Sequence, residues 1–185
     1  MVDKEKKVRR FFQISDFIEE ENWLSDQHKK GWKLISIESP TVYLFEQTKP
    51  EDVVYKLDFQ DKNIDTDYQQ IFKDYGWEYC GINSGWHYFR KLKIQTINEN
   101  ENEIFSDNES KLAMVDQLIE KRLSNLLIIL LVSAVLHFLS IKLDYFSDRI
   151  EFLLNTLFIV LYIVIVPILL VSGYKLLKLK NKYKN

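Results

Sequence analysis

The residue types that most often carry chemistry are few in this chain and poorly spaced for it. His28, His87 and His137 fall on a predicted helix, a predicted strand and an apolar run, with no metal-ligand spacing among them. Cys80 is the single thiol, which rules out a disulfide framework and any Cys-cluster zinc site. Gly81-Ile82-Asn83-Ser84-Gly85 has one residue too many before the serine for a nucleophile elbow, and its surroundings read as a hairpin. Asp61, Asn63 and Asp65 have the alternate spacing of a calcium loop, but Thr66 stands where glycine is required and Phe72 where the bidentate glutamate belongs. No glycine-rich phosphate loop occurs. The run Glu19-Glu20-Glu21 reads as a solvated helix start, where the helix dipole favours negative charge. The pattern predicts no enzyme, and it implies no metal and no cofactor.

What remains is a set of aromatics. Trp23, Trp32, Tyr43, Tyr68, Trp77 and Tyr88 recur in a pattern that makes them either core residues or the lining of a ligand cleft. The elements that hold them repeat. Under a shift of 45, Val8 falls on Val53, Phe12 on Leu57, Trp23 on Tyr68, Gly31-Trp32 on Gly76-Trp77, and Tyr43-Leu44 on Tyr88-Phe89. Each copy reads strand, helix, Gly-Trp, strand, turn, strand, over residues 8–47 and 53–92.

In copy one, VRRFFQIS predicts a strand, and residues 16–30 predict a helix with Phe17, Ile18 and Leu24 as its apolar stripe. In copy two, Thr66 and Gln69 form a capping box, and Tyr68, Ile71, Phe72 and Tyr75 make one apolar face. Gly31 and Gly76 each follow a helix, where a left-handed residue ends it, and Trp32 and Trp77 are expected in equivalent places. The fold predicted for residues 1–95 is α+β, a tandem βαββ repeat with six mostly antiparallel strands and two helices on one face. A ferredoxin-like core with an extra hairpin is the alternative. A cleft between the two copies would suit a small apolar ligand.

Composition bounds the rest. The chain has 185 residues, 46% hydrophobic and 28% charged, with a net charge of −2, five glycines and three prolines. This excludes collagenous and Pro/Gly-rich disordered chains, and it gives no electrostatic case for nucleic acid. The mean hydropathy of −0.20 averages two unlike parts. Residues 96–110 hold five acids (Glu99, Glu101, Glu103, Asp107 and Glu109) and no base, and they read as an acidic linker. A juxtamembrane helix is expected over 111–122.

Residues 123–141 and 152–174 carry no charge. At 1.5 Å per residue they reach roughly 28 and 34 Å, enough to cross a hydrocarbon core of about 30 Å. A two-helix transmembrane hairpin is predicted, with the lipid bilayer as its partner. Lys121 and Arg122 precede the first span, and Lys175, Lys178, Lys180, Lys182 and Lys184 follow the second. The positive-inside rule then puts both termini, and the basic tail 175–185, in the cytoplasm. Polar residues inside the spans (Asn125, Ser133, His137, Asn155, Pro167 and Ser172) read as interhelical hydrogen bonding or tolerance rather than a transport path.

The helix with Glu20, Trp23 and Leu24, the pairs Gly31-Trp32 and Gly76-Trp77-Glu78, Tyr43-x-Phe45-Glu46, the strand Tyr55-x-Leu57-Asp58-Phe59, and Tyr88-Phe89-Arg90-Lys91 together resemble a bacterial family. That family is catalogued as domain of unknown function twenty-eight-twelve. The resemblance covers about 80 of the first 95 residues. Members often carry two C-terminal membrane helices and tend to lie beside PadR-type regulators in genomes, and the resemblance implies a role linked to envelope or stress regulation. It supplies no catalytic residues. The leading functional expectation is a membrane-anchored cytoplasmic binding or sensing module. The alternative is a small integral-membrane scaffold that assembles with a protein partner.

Overall fold

The computed structural model describes residues 5–60, 66–93, 99–105, 107–142 and 147–184. The calcium-like spacing over 61–65, residues 94–98 and 106 in and before the acidic stretch, and part of the loop between the apolar helices (143–146) lie outside the described residues. The chain divides into two compact units, Met1–Met114 and Val115–Tyr183.

The first unit holds two three-stranded antiparallel sheets. β1 (Glu5–Arg9), α1 (Phe17–Lys29), β2 (Trp32–Ser39) and β3 (Val42–Gln47) form one half, in the order β1-β3-β2. β4 (Val53–Phe59), α2 (Thr66–Asp74), β5 (Glu78–Asn83) and β6 (Trp86–Leu92) form the other, in the order β4-β6-β5. Both halves therefore share one order and one connection. The α+β class with six antiparallel strands and two helices agrees with the expectation.

The register refines the shift of 45. Val8 pairs with Tyr43, but Leu57, not Val53, pairs with Tyr88. The first strands are therefore related by four residues more than the later ones. Helix length accounts for the four: α1 has 13 residues and α2 has nine, a difference of about one turn. The first strand also ends earlier than predicted, at Arg9, and Phe12 beyond it packs its ring on Trp23 at 5.6 Å.

The two helices do not share one face. On β6, Tyr88 points to α1, where its hydroxyl meets Glu20. Phe89 points the other way and packs on Phe72 of α2, with Trp77 in the same cluster. Strand residues alternate between faces, so the second sheet is covered on both, and Trp86–Arg90 of β6 is buried without interruption. The predicted face of α2 is only half used. Phe72 is buried and Tyr68 packs beside it, but Ile71 and Tyr75 are 54% and 72% exposed. In α1, Phe17, Trp23 and Leu24 are buried while Ile18 is exposed.

Gly31 and Gly76 both end a helix at φ +81°, as the spacing predicts. Their surroundings differ. A Cβ on Gly31 would lie 2.9 Å from the Thr48 carbonyl oxygen, whereas one on Gly76 meets nothing nearer than Lys91 Cδ at 3.9 Å. Gly76→Ala is therefore expected to cost about 1–2 kcal/mol, the left-handed penalty alone. Gly31→Ala should cost more, because backbone must move as well. Urea melts of the two variants check the order, and equal losses would contradict the close approach at Gly31.

The acidic stretch does more than connect. Its segment 99–105 begins with a 3-10 turn at Glu99–Asn102, and Ile104 packs against Phe72, Trp77 and Phe89. Glu103 lies 2.8 Å from Lys56 Nζ and 3.5 Å from Lys111 Nζ. One apolar residue and these ion pairs tether a segment whose composition alone reads as a linker.

α3 (Asn108–Leu118) begins in the first unit and leads through a π turn at Ile119–Leu123 into α4 (Ser124–Lys142) of the second. α5 (Asp148–Lys184) returns antiparallel, with Lys180 against Asp116, Gly173 against Leu123 and Asn155 against His137. His137 Nε2 is 3.0 Å from Asn155 Oδ1, its Nδ1 is 3.4 Å from the Tyr162 hydroxyl, and its ring stacks on Phe158 at 4.7 Å. These intramembrane polar groups face the neighbouring helix, in line with the interhelical reading. Both helices are long and apolar enough to cross a membrane, and only 6% of each apolar window is buried. A soluble core helix would be covered, and Leu127, Ile128, Leu131 and Val135 are not. The pair supports a membrane location.

Candidate functional site

α1 joins the two halves through carboxylates, not through its apolar stripe alone. Glu20 and Glu21 are 5% and 6% exposed, which corrects the reading of a solvated helix start. They sit at the spacing of the buried face set by Phe17, Leu24 and His28, so the helical period turns them inward. Glu20 Oε1 accepts hydrogen bonds from the Tyr43 and Tyr88 hydroxyls, each at 2.7 Å. These are the two tyrosines that the shift of 45 superposes. One oxygen thus binds the equivalent residue of each half. Burial raises the Glu20 pKa, and the two tyrosines partly offset it.

Glu21 and Ser25, one turn apart, meet the free edge of β4. The Leu57 amide donates to Glu21 Oε1 at 2.9 Å, and the Tyr55 amide donates to Ser25 Oγ at 3.2 Å. A strand presents outward amides every second residue, and one helical turn nearly matches that spacing. The edge is thereby closed to further pairing. Lys56 adds an ion pair to Glu21 at 3.2 Å.

Burial raises the Glu21 pKa from 4.5 to about 7, with Lys56 and the Leu57 amide opposing. A raised acid pKa means that the folded state holds the proton more tightly. The resulting stability is full below about pH 4.5 and is lost as pH rises through about 7. Glu21→Gln should remove this dependence. The gap between wild type and variant should move by on the order of 3 kcal/mol across that window, in favour of the variant at higher pH. Urea melts of both proteins at about pH 5 and about pH 8 measure it. A pH-independent gap would contradict the burial of an ionisable Glu21.

A second seam closes β2 against the other sheet. The Leu34 amide donates to the Tyr55 hydroxyl at 3.4 Å, and Arg90 Nη1 donates to the Leu34 carbonyl at 2.6 Å. Glu78 holds the Arg90 guanidinium through both carboxylate oxygens. Burial disfavours the Arg90 charge, but Glu78 outweighs it and keeps the pKa above its usual value. The Tyr55 hydroxyl also lies 2.9 Å from His28 Nδ1. Burial, then Arg90, lowers the His28 pKa, which favours the neutral ring. Tyr55 donates to Nδ1, and the His28 proton is assigned to Nε2.

Above this seam lies a cavity of about 520 Å³ whose wall comes from both halves. His28 and Lys33 line it from the first, Glu51 from the connection between the halves, and Tyr75, Arg90 and Lys91 from the second. The six aromatics marked in the sequence are not its lining. Tyr43 and Tyr88 meet on Glu20. Trp23 packs edge-on to Tyr43 at 4.9 Å. Trp77 is in the α2 cluster, and Tyr68 donates to Asp58 at 2.6 Å. Trp32 is half-buried under the Lys6 ammonium at 4.2 Å. Sequence spacing names Glu20, Glu21, Tyr55, His28 and Arg90 separately and does not join them into a seam. For the two glutamates the signal was available, because they fall between Phe17 and Leu24 at helical spacing.

The remaining candidates add no reactive group. Burial pushes the Cys80 thiol up to about 12, far from the range of a nucleophilic thiolate. No cluster of His, Cys, Asp and Glu among the described residues could hold a metal ion. Asp58 is fully buried, with Oδ2 bound by Tyr68 and Gln60 and Oδ1 without a hydrogen-bond partner.

Residues 16–131 match a family described as "Protein of unknown function (DUF2812)". The chain belongs to that family. The match starts at the cap of α1, takes in the whole two-half seam and the 99–105 segment, and ends inside α4. The family thus includes both the site and the approach to the first apolar helix. No curated protein and no solved structure matches the chain.

Proposed function

We propose that this chain is a membrane-anchored sensing module whose small ligand occupies the cavity between the two halves of the cytoplasmic domain. The carrying observation is the cavity itself: both halves build its wall, and its floor is a buried polar seam that fixes their spacing. A ligand held there touches both halves at once, so its binding free energy acts on how they are joined. The Lys/Arg excess at Lys121 and Lys175–Lys184 supports a cytoplasmic domain with both termini on that side. The module binds and does not catalyse. Its cavity-facing Arg90 is committed to Glu78 and its His28 to Tyr55. A link to PadR-type regulation is what the family resemblance implies.

The test is a thermal-shift screen of the full chain in lipid nanodiscs against small soluble metabolites. A ligand at one hundred times its Kd should stabilise the domain by about 2.7 kcal/mol. Tyr75→Ala, at the exposed rim, should weaken that shift without lowering the unliganded melting temperature. A screen without any stabilising compound would contradict the sensing role.

A further inference from the structure

We infer that the cavity takes a small molecule with an oxyanion head seated on Lys91, and that its binding releases residues 101–104 from the domain. This rests on the sensing reading for its use, but its chemistry comes from one cation of the cavity wall, Lys91, that no described carboxylate holds. Lys33 lies 3.2 Å from Glu46, and Arg90 is held by Glu78. Lys91 has no carboxylate partner among the described residues. Its ammonium donates to two carbonyl oxygens, that of Tyr75 at 3.3 Å and that of Glu101 at 2.8 Å. A carboxylate or phosphate binds an ammonium more strongly than a neutral carbonyl does. His28 lines the cavity from the opposing half. Glu51, also in the wall, disfavours a second negative charge on the ligand. Val53, Leu92 and the exposed Tyr75 ring suit an apolar body.

The Glu101 carbonyl is the connection outward. Residues 101–104 are clipped at three points: Glu101 by Lys91, Glu103 by Lys56, and Ile104 by the Phe72, Trp77 and Phe89 cluster. Glu103 also reaches Lys111 on α3, the helix that continues toward the first apolar span. An anion that draws Lys91 into the cavity removes the first clip. The cavity and the segment before the membrane helix therefore compete for one side chain, which couples them. By linkage, loosening the segment must strengthen anion binding by the same factor.

The experiment uses the full chain in phosphatidylcholine nanodiscs, with benzoate and its neutral isostere benzamide as probes. Binding is read by calorimetry and the segment by hydrogen exchange over 99–105. Benzoate should bind at least about tenfold more tightly than benzamide, and Lys91→Gln should remove about tenfold of benzoate affinity. Benzoate should raise exchange in 99–105. Ile104→Ala, which loosens the segment without touching the cavity, should raise benzoate affinity several-fold. Equal binding of the two probes, no binding of either, or indifference to Lys91→Gln would overturn the oxyanion seat. If a neutral or cationic metabolite then stabilises the chain in the wider screen, the sensing role stands and this ligand class falls. Benzoate binding through Lys91 with unchanged exchange, or unchanged affinity in Ile104→Ala, would overturn the coupling.

Discussion

Replacing Glu20 by Leu is expected to cost the first unit about 4 kcal/mol or more, whereas Glu20→Gln should cost about 1 kcal/mol. The difference isolates the joint between the halves. Leu fills much of the space but leaves the Tyr43 and Tyr88 hydroxyls buried without their acceptor. Each stranded donor costs about 1–3 kcal/mol. Gln keeps an acceptor oxygen and adds an amide in place of a carboxyl whose pKa burial already raises. The losses should also be non-additive. With Glu20 already Leu, changing either tyrosine to Phe should recover stability, because it removes an unpaired hydroxyl. Denaturant melts of residues 1–114, the compact unit, provide the numbers. A mild Glu20→Leu variant would mean that the two tyrosines find other partners and that the carboxylate does not hold the halves.

Trp77→Ala should be comparably damaging, at about 3–5 kcal/mol, since its ring is 3% exposed in the cluster with Phe72 and Phe89. Trp32→Ala should cost less than half of that. Both tryptophans follow a left-handed glycine, and each carries a lysine over its ring, Lys6 at 4.2 Å and Lys91 at 5.2 Å. They differ in cover. α2 and residues 101–104 close over Trp77, while Trp32 opens β2 half-buried. Truncating Trp77 should also free Ile104, so hydrogen exchange over 99–105 should rise in that variant and not in Trp32→Ala. Equal losses at the two positions would contradict the difference in burial.

The contrast between the two tryptophans shows what sequence carries and what it does not. Helix ends, hairpins and apolar spans are local. Gly31 and Gly76 stop helices, Ser84 and Gly85 take the positive φ values of a hairpin turn, and two uncharged runs become α4 and α5. All of these are legible from neighbours in the chain. Burial of Glu20 is not local, because its partners lie 23 and 68 residues away. At a helix start, a glutamate has a sufficient reason to be exposed, and only a tertiary partner changes that. The same holds for residues 99–105, where composition predicts a linker and Ile104 alone finds a cluster made by another element. The cavity was invisible for a related reason. Its charged wall comes from β2, β5, β6 and the helix ends, not from the aromatic residues that stood out in the repeat.

The proposed sensing role requires a cytoplasmic domain held at the membrane by an antiparallel pair of spanning helices, with both termini on the domain's side. Topology reporters fused at residue 185 and inserted between residues 143 and 148 test it directly. The account predicts a cytoplasmic signal from the C-terminal fusion and a signal from the opposite side for the insertion. An external signal at residue 185, or the same side for both positions, would contradict it.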